Sequence, residues 1–258
     1  MARRIIRTAL LSPALIGLTA ACAASPPSPA GVRGSAPAAD AAAPPSAAAP
    51  AGPAPAWRTL GPLSAGQLTD VLLSAADLPP GSTIEPADVP PAAEPDPLAA
   101  AALRFPACAP VLTAVSEQPA TAARRWYVTG DNTLANRTLV DVGSFTDGRS
   151  KERFDALEAA ASGGCTGFHL DGAGGGIDLR VEPVPAGTSE VPAVGFRVVS
   201  PTGGVTSRGG FTRVYLYAAV GDNRVLFHTG DDTAHQPALR TDLVTAQIHR
   251  LTASAATG

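Results

Sequence analysis

Residues 23–56 cannot contribute to a hydrophobic core. Most of them are Ala or Pro, none is aromatic and almost none is a large aliphatic residue. Such a segment buries too little apolar surface to offset the entropy lost on ordering. We therefore predict a disordered Pro/Ala-rich tether over 22–56, with a reach of at most ~100 Å at about 3.1 Å per residue. A core must come from residues 57–252, and we expect residues 253–258 to be a flexible tail.

A leader precedes the tether. Arg3, Arg4 and Arg7 are followed by an uncharged run, rich in Leu, Ile and Ala, from Thr8 to Ala21. This order is typical of a signal peptide. The run is about 14 residues long, whereas a permanent transmembrane helix needs roughly 20. We predict that residues 1–21 are a signal peptide that is removed.

The leader ends in Leu18-Thr19-Ala20-Ala21-Cys22. This sequence is similar to the bacterial lipobox, in which small residues precede a cysteine whose thiol is acylated. Two acyl chains on Cys22 give stable anchoring, which one chain does not. The alternative is an ordinary small-residue cleavage site beside an incidental cysteine. The prediction is a lipid-anchored, extracytoplasmic protein on the outer face of the cell membrane.

The cysteine count agrees with lipidation. The chain has three cysteines, and an odd number in an exported protein needs an explanation. Lipidation of Cys22 leaves Cys108 and Cys165 as a pair in an oxidising compartment, where disulfides persist. Their bond would close a loop of about 57 residues and contribute on the order of 4 kcal/mol. Two reduced, buried cysteines are the alternative.

Hydrophobic periodicity predicts an α+β fold, in which an antiparallel sheet is flanked by helices. The predicted helices are one that Ser64 caps and that ends before Pro79, a short Ala-rich helix before Cys108, a helix over Arg149–Ala161, and a final helix that Pro237 begins. The predicted strands are Trp126–Val128, Thr138–Phe145, Ile177–Val181, Gly195–Ser200, Phe211–Val220 and Arg224–Thr229. Residues 81–97 are rich in proline and are predicted to form a long surface loop. The turn Gly221-Asp222-Asn223 favours a tight hairpin, and the helices must cover one or both faces of the sheet.

Motifs that carry chemistry are weak in this sequence. The run Gly172-Ala173-Gly174-Gly175-Gly176 precedes a strand, whereas a phosphate-binding loop opens a helix, so a mobile turn is favoured. Asp231, Asp232 and His235 have side chains that can hold a metal, but acidic residues before a helix also cap it, and we favour capping. The sequence contains no nucleophile elbow, S-x-x-K, H-E-x-x-H or Walker motif.

The remaining candidates are histidines. His169 and His228 lie in predicted strands and His249 in the last helix, and we expect each to be structural or exposed. We predict no catalytic residue, no metal and no cofactor. A triad assembled from distant residues leaves a hydrolase as the less favoured alternative. The net charge of -3 argues against nucleic-acid binding, because such surfaces are normally strongly basic.

The order of elements carries a family resemblance. It comprises the opening helix with Leu72-Leu73-Ser74-Ala75-Ala76-Asp77-Leu78-Pro79-Pro80-Gly81, then Cys108, the strand Val140–Phe145, the helix that runs into Gly164-Cys165, the strand pair Val214–Val220 and Arg224–Thr229, and the closing helix. In this order the domain resembles the PknH-like extracellular sensor domains of mycobacterial receptor kinases and actinobacterial lipoproteins. The resemblance implies an antiparallel sheet with helices, a ligand-accepting cleft and a non-catalytic binding role. Members commonly have two disulfides, whereas this chain has cysteines for one, and it has no kinase domain.

These observations predict a surface-anchored lipoprotein whose domain binds a small molecule or a cell-envelope ligand. Its expected partners are the membrane, through the lipid anchor, and that ligand. We expect a monomer that binds no nucleic acid. The alternative is a scaffolding lipoprotein that docks a membrane or envelope protein.

Overall fold

The structure, a computed structural model, describes residues 54–87, 96–130, 136–171, 175–188, 190–200, 210–231 and 237–255. These residues form an eight-stranded antiparallel sheet with helices on both faces. The strands are β1 (Ser82–Pro86), β2 (Thr121–Thr129), β3 (Arg137–Ser144), β4 (Gly167–Leu170), β5 (Ile177–Val184), β6 (Ala193–Ser200), β7 (Phe211–Val220) and β8 (Asn223–Asp231). The helices are α1 (Ala65–Val71), α2 (Pro97–Arg104), α3 (Ala109–Ser116), α4 (Ser150–Ala159) and α5 (Thr241–Ser254). The spatial order of the strands is β1-β2-β3-β8-β7-β6-β5-β4. The predicted α+β class is confirmed.

Two cores lie on opposite faces of this sheet. Alternate residues of a strand point to opposite faces, and β7 shows this directly. Tyr215 and Tyr217 pack into a core that α2, α3 and α4 cover, which we call the disulfide face. Leu216 and Ala218 pack into a second core beneath α1 and α5, which we call the α5 face. The sheet is therefore the middle of three layers.

The first helix begins as predicted and ends early. The Ser64 side chain accepts a hydrogen bond from the Gln67 amide, and the Gln67 side chain accepts one from the Ser64 amide, which makes a capping box. The helix ends at Val71, so its predicted continuation toward Pro79 was wrong. Buried Gln247 of α5 explains the end, because it donates to the Val71 carbonyl oxygen (2.7 Å) and accepts from the Leu73 amide (3.2 Å).

The stretch predicted as a loop over 81–97 contains β1, so the prediction was wrong for Ser82–Pro86. This strand pairs with β2 from Ser82 opposite Thr129 to Pro86 opposite Arg125. It lies at the sheet edge, where proline is tolerated. Glu85 of β1 also forms an ion pair with Arg137 of β3 at 2.5 Å. An edge strand buries little apolar surface, which is why the hydrophobic pattern did not reveal it.

Other boundaries also differ from the sequence prediction. The sequence did not predict α3, which follows Cys108 directly, and β2 begins before Trp126. The helix predicted over Arg149–Ala161 is confirmed as α4 and a π-helical turn over Ala160–Gly164, in which Gly163 has a φ of 130°. The last helix begins at Thr241 and not at Pro237, because Arg240 is extended.

The β7–β8 hairpin is confirmed and holds the start of the domain. Gly221 has a φ of 58°, and a Cβ there would lie 2.1 Å from the Leu60 carbonyl oxygen. The Asp222 amide donates to that same oxygen at 2.8 Å. The glycine is therefore required both by the turn and by the chain that crosses it.

Among the described helices, none is long and apolar enough to cross a membrane.

Candidate functional site

A disulfide joins Cys108 and Cys165, as predicted. The S–S distance is 2.01 Å and the Cα atoms are 4.6 Å apart. Cys108 lies immediately before α3, and Cys165 follows the π-helical turn after α4. Both residues are buried. The bond therefore joins the start of α3 to the turn that follows α4, on the disulfide face.

Several predicted sites lie outside the described residues. They are the lipidation site Cys22, the glycines Gly172 and Gly174, and the loop residues Asp232 and His235. Gly175, at the end of the glycine run, has a φ of 112°. Among the described residues, no group of three or more His, Cys, Asp or Glu side chains is placed to hold a metal ion.

Two of the predicted histidines lie at the surface. His169 of β4 is half-buried, and its Nδ1 lies 2.7 Å from Oδ1 of Asp178. His249 lies on the exposed side of α5.

His228 lies in a row of aromatic rings on the disulfide face. It stacks on Tyr215 with ring centroids 4.9 Å apart and planes at 9°, and Trp126 lies 6.1 Å from it on the other side. Phe196 stacks on Tyr215 at 5.1 Å. Burial, with a smaller effect of Arg213, lowers the pKa of His228 to about 4. The imidazole is therefore neutral at pH 7 and packs as a ring.

A groove opens on the α5 face, beside the amino-terminal end of α5. Its volume is about 270 Å³, close to the lower end of the ~300–1,000 Å³ range of small-molecule sites. Its floor is formed by the side chains of β7 that point to this face, Thr212, Val214 and Leu216. We call it the α5 groove. It exists because α5 covers β7 and leaves the same face of β6 and β5 open.

Two walls close the sides of the α5 groove. One is formed by the residues that lead into α5 and by its first turn: Pro237, Ala238, Leu239, Thr241 and Val244. The other is the end of β5 and the residues that follow it: Val184, Pro185, Ala186 and Gly187. Arg197 of β6 lies at one end. The lining is mostly apolar, with three polar side chains, Arg197, Thr212 and Thr241.

The charges near the α5 groove are paired. Arg197 Nε lies 2.6 Å from Oε2 of Glu182, its neighbour across β5 and β6. Arg240, just before α5, forms an ion pair with Asp242. The hydrogen bond from Arg240, together with the Leu243 amide, holds the pKa of Asp242 below its usual range. The site therefore presents apolar surface and hydroxyl groups with little net charge.

This groove is not predictable from the sequence. Its lining comes from β5, β6, β7 and α5, which are far apart in the sequence. Pro185 and Pro237 are typical of loops, and Val214 and Leu216 of any half-buried strand. The one available signal was the alternation along β7, which places Thr212 among apolar residues of the α5 face.

Neither a family model nor a curated protein sequence matches this chain. The crystal structure of the extracellular domain of PknH from Mycobacterium tuberculosis is similar, with a TM-score of 0.48 and 7% identity, over 76% of this chain and 98% of that one. An uncharacterised protein (Rv0999 ortholog) from Mycobacterium smegmatis has a TM-score of 0.36 and 12% identity, over 73% of this chain and 95% of that one. Both TM-scores are below 0.5, so the following arguments rest on this chain's own residues.

Proposed function

We propose that this chain is a lipoprotein anchored through Cys22 to the outer face of the cell membrane, and that its domain binds a small, uncharged, largely apolar molecule in the α5 groove. The observation that carries the proposal is the groove itself, a concave apolar surface with a few polar groups. That combination is typical of small-molecule sites.

The lining supports this class of ligand. Val214, Leu216 and Val244 offer apolar contact, and burying a ligand's apolar surface there contributes about 25 cal/mol per Å². Thr212 and Thr241 offer hydroxyl groups, which both donate and accept hydrogen bonds. A charged ligand would lose its hydration on binding, and an unpaired buried charge is costly. The nearby Arg197 would not offset this cost, because it already forms an ion pair with Glu182.

The same lining favours binding over catalysis. Among the described lining residues there is no His, Cys, Ser, Tyr or carboxylate. Hydrolysis through a covalent intermediate needs a nucleophile with a base beside it. The hydroxyl groups of Thr212 and Thr241 have no such base in the groove.

Titration with cyclohexanol, which has an apolar ring and one hydroxyl group, tests the groove by NMR. We expect shifts of the amide signals of residues 184–187 and 241–244. Ala238→Trp should abolish these shifts, because it places a large ring at the groove wall. Ala100→Trp on α2 is the matched control, since both alanines are exposed and Ala100 lies on the other face. Unshifted groove amides, or equal shifts in both variants, would refute the proposal.

A further inference from the structure

A second cavity lies on the disulfide face, between α3 and α4. Its volume is about 280 Å³. Its sides are formed by residues of the two helices, among them Thr113 and Ala114 of α3 and Ala156 and Leu157 of α4. The small side chains of Thr113, Ala114 and Ala156 leave this space unfilled. We call this cavity the interhelical slot.

Each end of the interhelical slot is fixed by a cross-link. At one end the Cys108–Cys165 disulfide joins the start of α3 to the turn after α4. At the other end Arg153 of α4 forms ion pairs with Glu117 (3.2 Å) and with Asp147 (2.7 Å). A cavity braced in this way keeps its width without a ligand, and preorganisation of this kind lowers the cost of binding.

Tyr217 of β7 forms the base of the slot. Its ring packs 6.3 Å from the ring of Phe154, and the whole residue is only 3% exposed. Its hydroxyl group donates no hydrogen bond to any of the described residues, whereas the hydroxyl of Tyr127 donates to the Leu73 carbonyl oxygen at 3.0 Å. A phenolic hydroxyl group both donates and accepts hydrogen bonds. Because Tyr217 lines the slot, its hydroxyl group is available to a ligand there.

The charge state of Tyr217 suits this role. Burial raises the pKa of Tyr217 to about 12, against a smaller opposing effect of Arg224. The phenol therefore keeps its proton at neutral pH and donates it. The charged side chains around the slot form ion pairs with one another, Arg149 with Glu152 and Arg153 with both Glu117 and Asp147.

We infer that the interhelical slot is a second binding site, for a small neutral molecule whose carbonyl oxygen accepts a hydrogen bond from Tyr217 and whose apolar part lies between Ala114, Ala156 and Leu157. This site is independent of the α5 groove, which lies on the opposite face of the sheet and offers threonine hydroxyls.

Cyclohexanone, which accepts hydrogen bonds and cannot donate them, is a suitable probe for NMR titration of the intact domain. We expect shifts of the amides of residues 109–117 and 152–157. Tyr217→Phe should weaken binding roughly 3- to 10-fold, as loss of one hydrogen bond predicts. Tyr215→Phe is the matched control, since Tyr215 is also a buried tyrosine of β7 and lies outside the slot.

A second variant tests the space and not the hydroxyl. Ala156 is exposed on α4, so Ala156→Leu should fill the slot and abolish the shifts while the fold is kept. Unshifted slot amides at saturating cyclohexanone overturn the inference. Equal affinity of Tyr217→Phe and the wild type also overturns it, because the hydroxyl would then have no role. Both results would leave the α5 groove, and its cyclohexanol test, unaffected.

Discussion

Arg224 of β8 donates a hydrogen bond from Nη1 to the carbonyl oxygen of Ala114 in α3, at 2.8 Å and across 110 positions of the chain. Its Nη2 donates to the Glu117 carbonyl oxygen (3.2 Å) and to Oδ2 of Asp141 (3.1 Å). Arg224 is 1% exposed. A buried cation therefore binds the carbonyl groups at the carboxyl end of a helix, which carry partial negative charge, and holds α3 against the sheet beside the interhelical slot.

Replacing this arginine should destabilise the fold. Arg224→Met removes the hydrogen bonds to a buried carbonyl oxygen, that of Ala114, and to the part-buried one of Glu117. Among the described residues it leaves Asp141 with Arg124 as its ion-pair partner. We expect the free energy of unfolding to fall by about 2–4 kcal/mol, measured by urea denaturation at pH 7. Arg180→Met is the control, because Arg180 is exposed on β5 and such changes cost within about 0.5 kcal/mol. Equal losses in the two variants would show that the buried contacts of Arg224 contribute nothing.

His228 should make stability depend on pH. Burial and Arg213 lower its pKa from 6.5 to about 4 in the folded state. Between these values the unfolded chain binds the proton and the folded chain does not, so the stability that is fully present above pH 6.5 is lost as the pH falls toward 4. The expected loss between pH 7 and pH 4.5 is about 2–3 kcal/mol.

The variant His228→Phe isolates this effect, since it keeps a ring against Tyr215 and cannot take up a proton. Its unfolding free energy, measured in urea at both pH values, should fall less than that of the wild type. Parallel losses would mean that the folded state keeps His228 at an ordinary pKa.

The disulfide should contribute measurably to stability. Cross-linking residues 57 apart in sequence restricts the unfolded chain, and typical contributions are about 2–4 kcal/mol. We expect Cys108→Ala/Cys165→Ala to lose this amount in denaturant titrations. Dithiothreitol should destabilise the wild type and leave the double variant unchanged. Insensitivity of the wild type to reductant under denaturing conditions would show that the bond is absent in the protein as isolated.

The anchor prediction concerns Cys22, outside the described residues. Cys22→Ser removes the thiol that is acylated, so the protein should leave the membrane fraction or accumulate as unprocessed precursor. Metabolic labelling with a palmitate analogue should mark the wild type and not the variant. A variant that stays acylated in the membrane would refute lipidation at Cys22.

Local sequence signals predicted those parts of the fold that local chemistry determines. The N-cap at Ser64 and the β7–β8 turn are both predicted from a few neighbouring residues. The end of α1 was not, because its cause is Gln247 of α5, which lies 176 positions from Val71. The edge strand β1 was missed for a similar reason. It is defined by its pairing with β2, and its own residues have no hydrophobic pattern that would predict a strand.

The candidate sites were harder still to predict. Leu216 and Tyr217 are adjacent in β7, yet one lies in the floor of the α5 groove and the other at the base of the interhelical slot. Alternation predicts that they face opposite ways, but it does not predict which helices cover each face or where they leave a gap. Cavities depend on long-range packing, which no short window of sequence contains.

Native mass spectrometry of the protein, released in mild detergent from its own cells, tests the central claim most directly. We predict a small-molecule adduct on the wild type that Ala238→Trp loses and Ala100→Trp keeps. An adduct lost in Ala156→Leu instead would belong to the interhelical slot. A wild type without adduct, or an adduct that Ala238→Trp leaves in place, would contradict the account of the α5 groove as the ligand site.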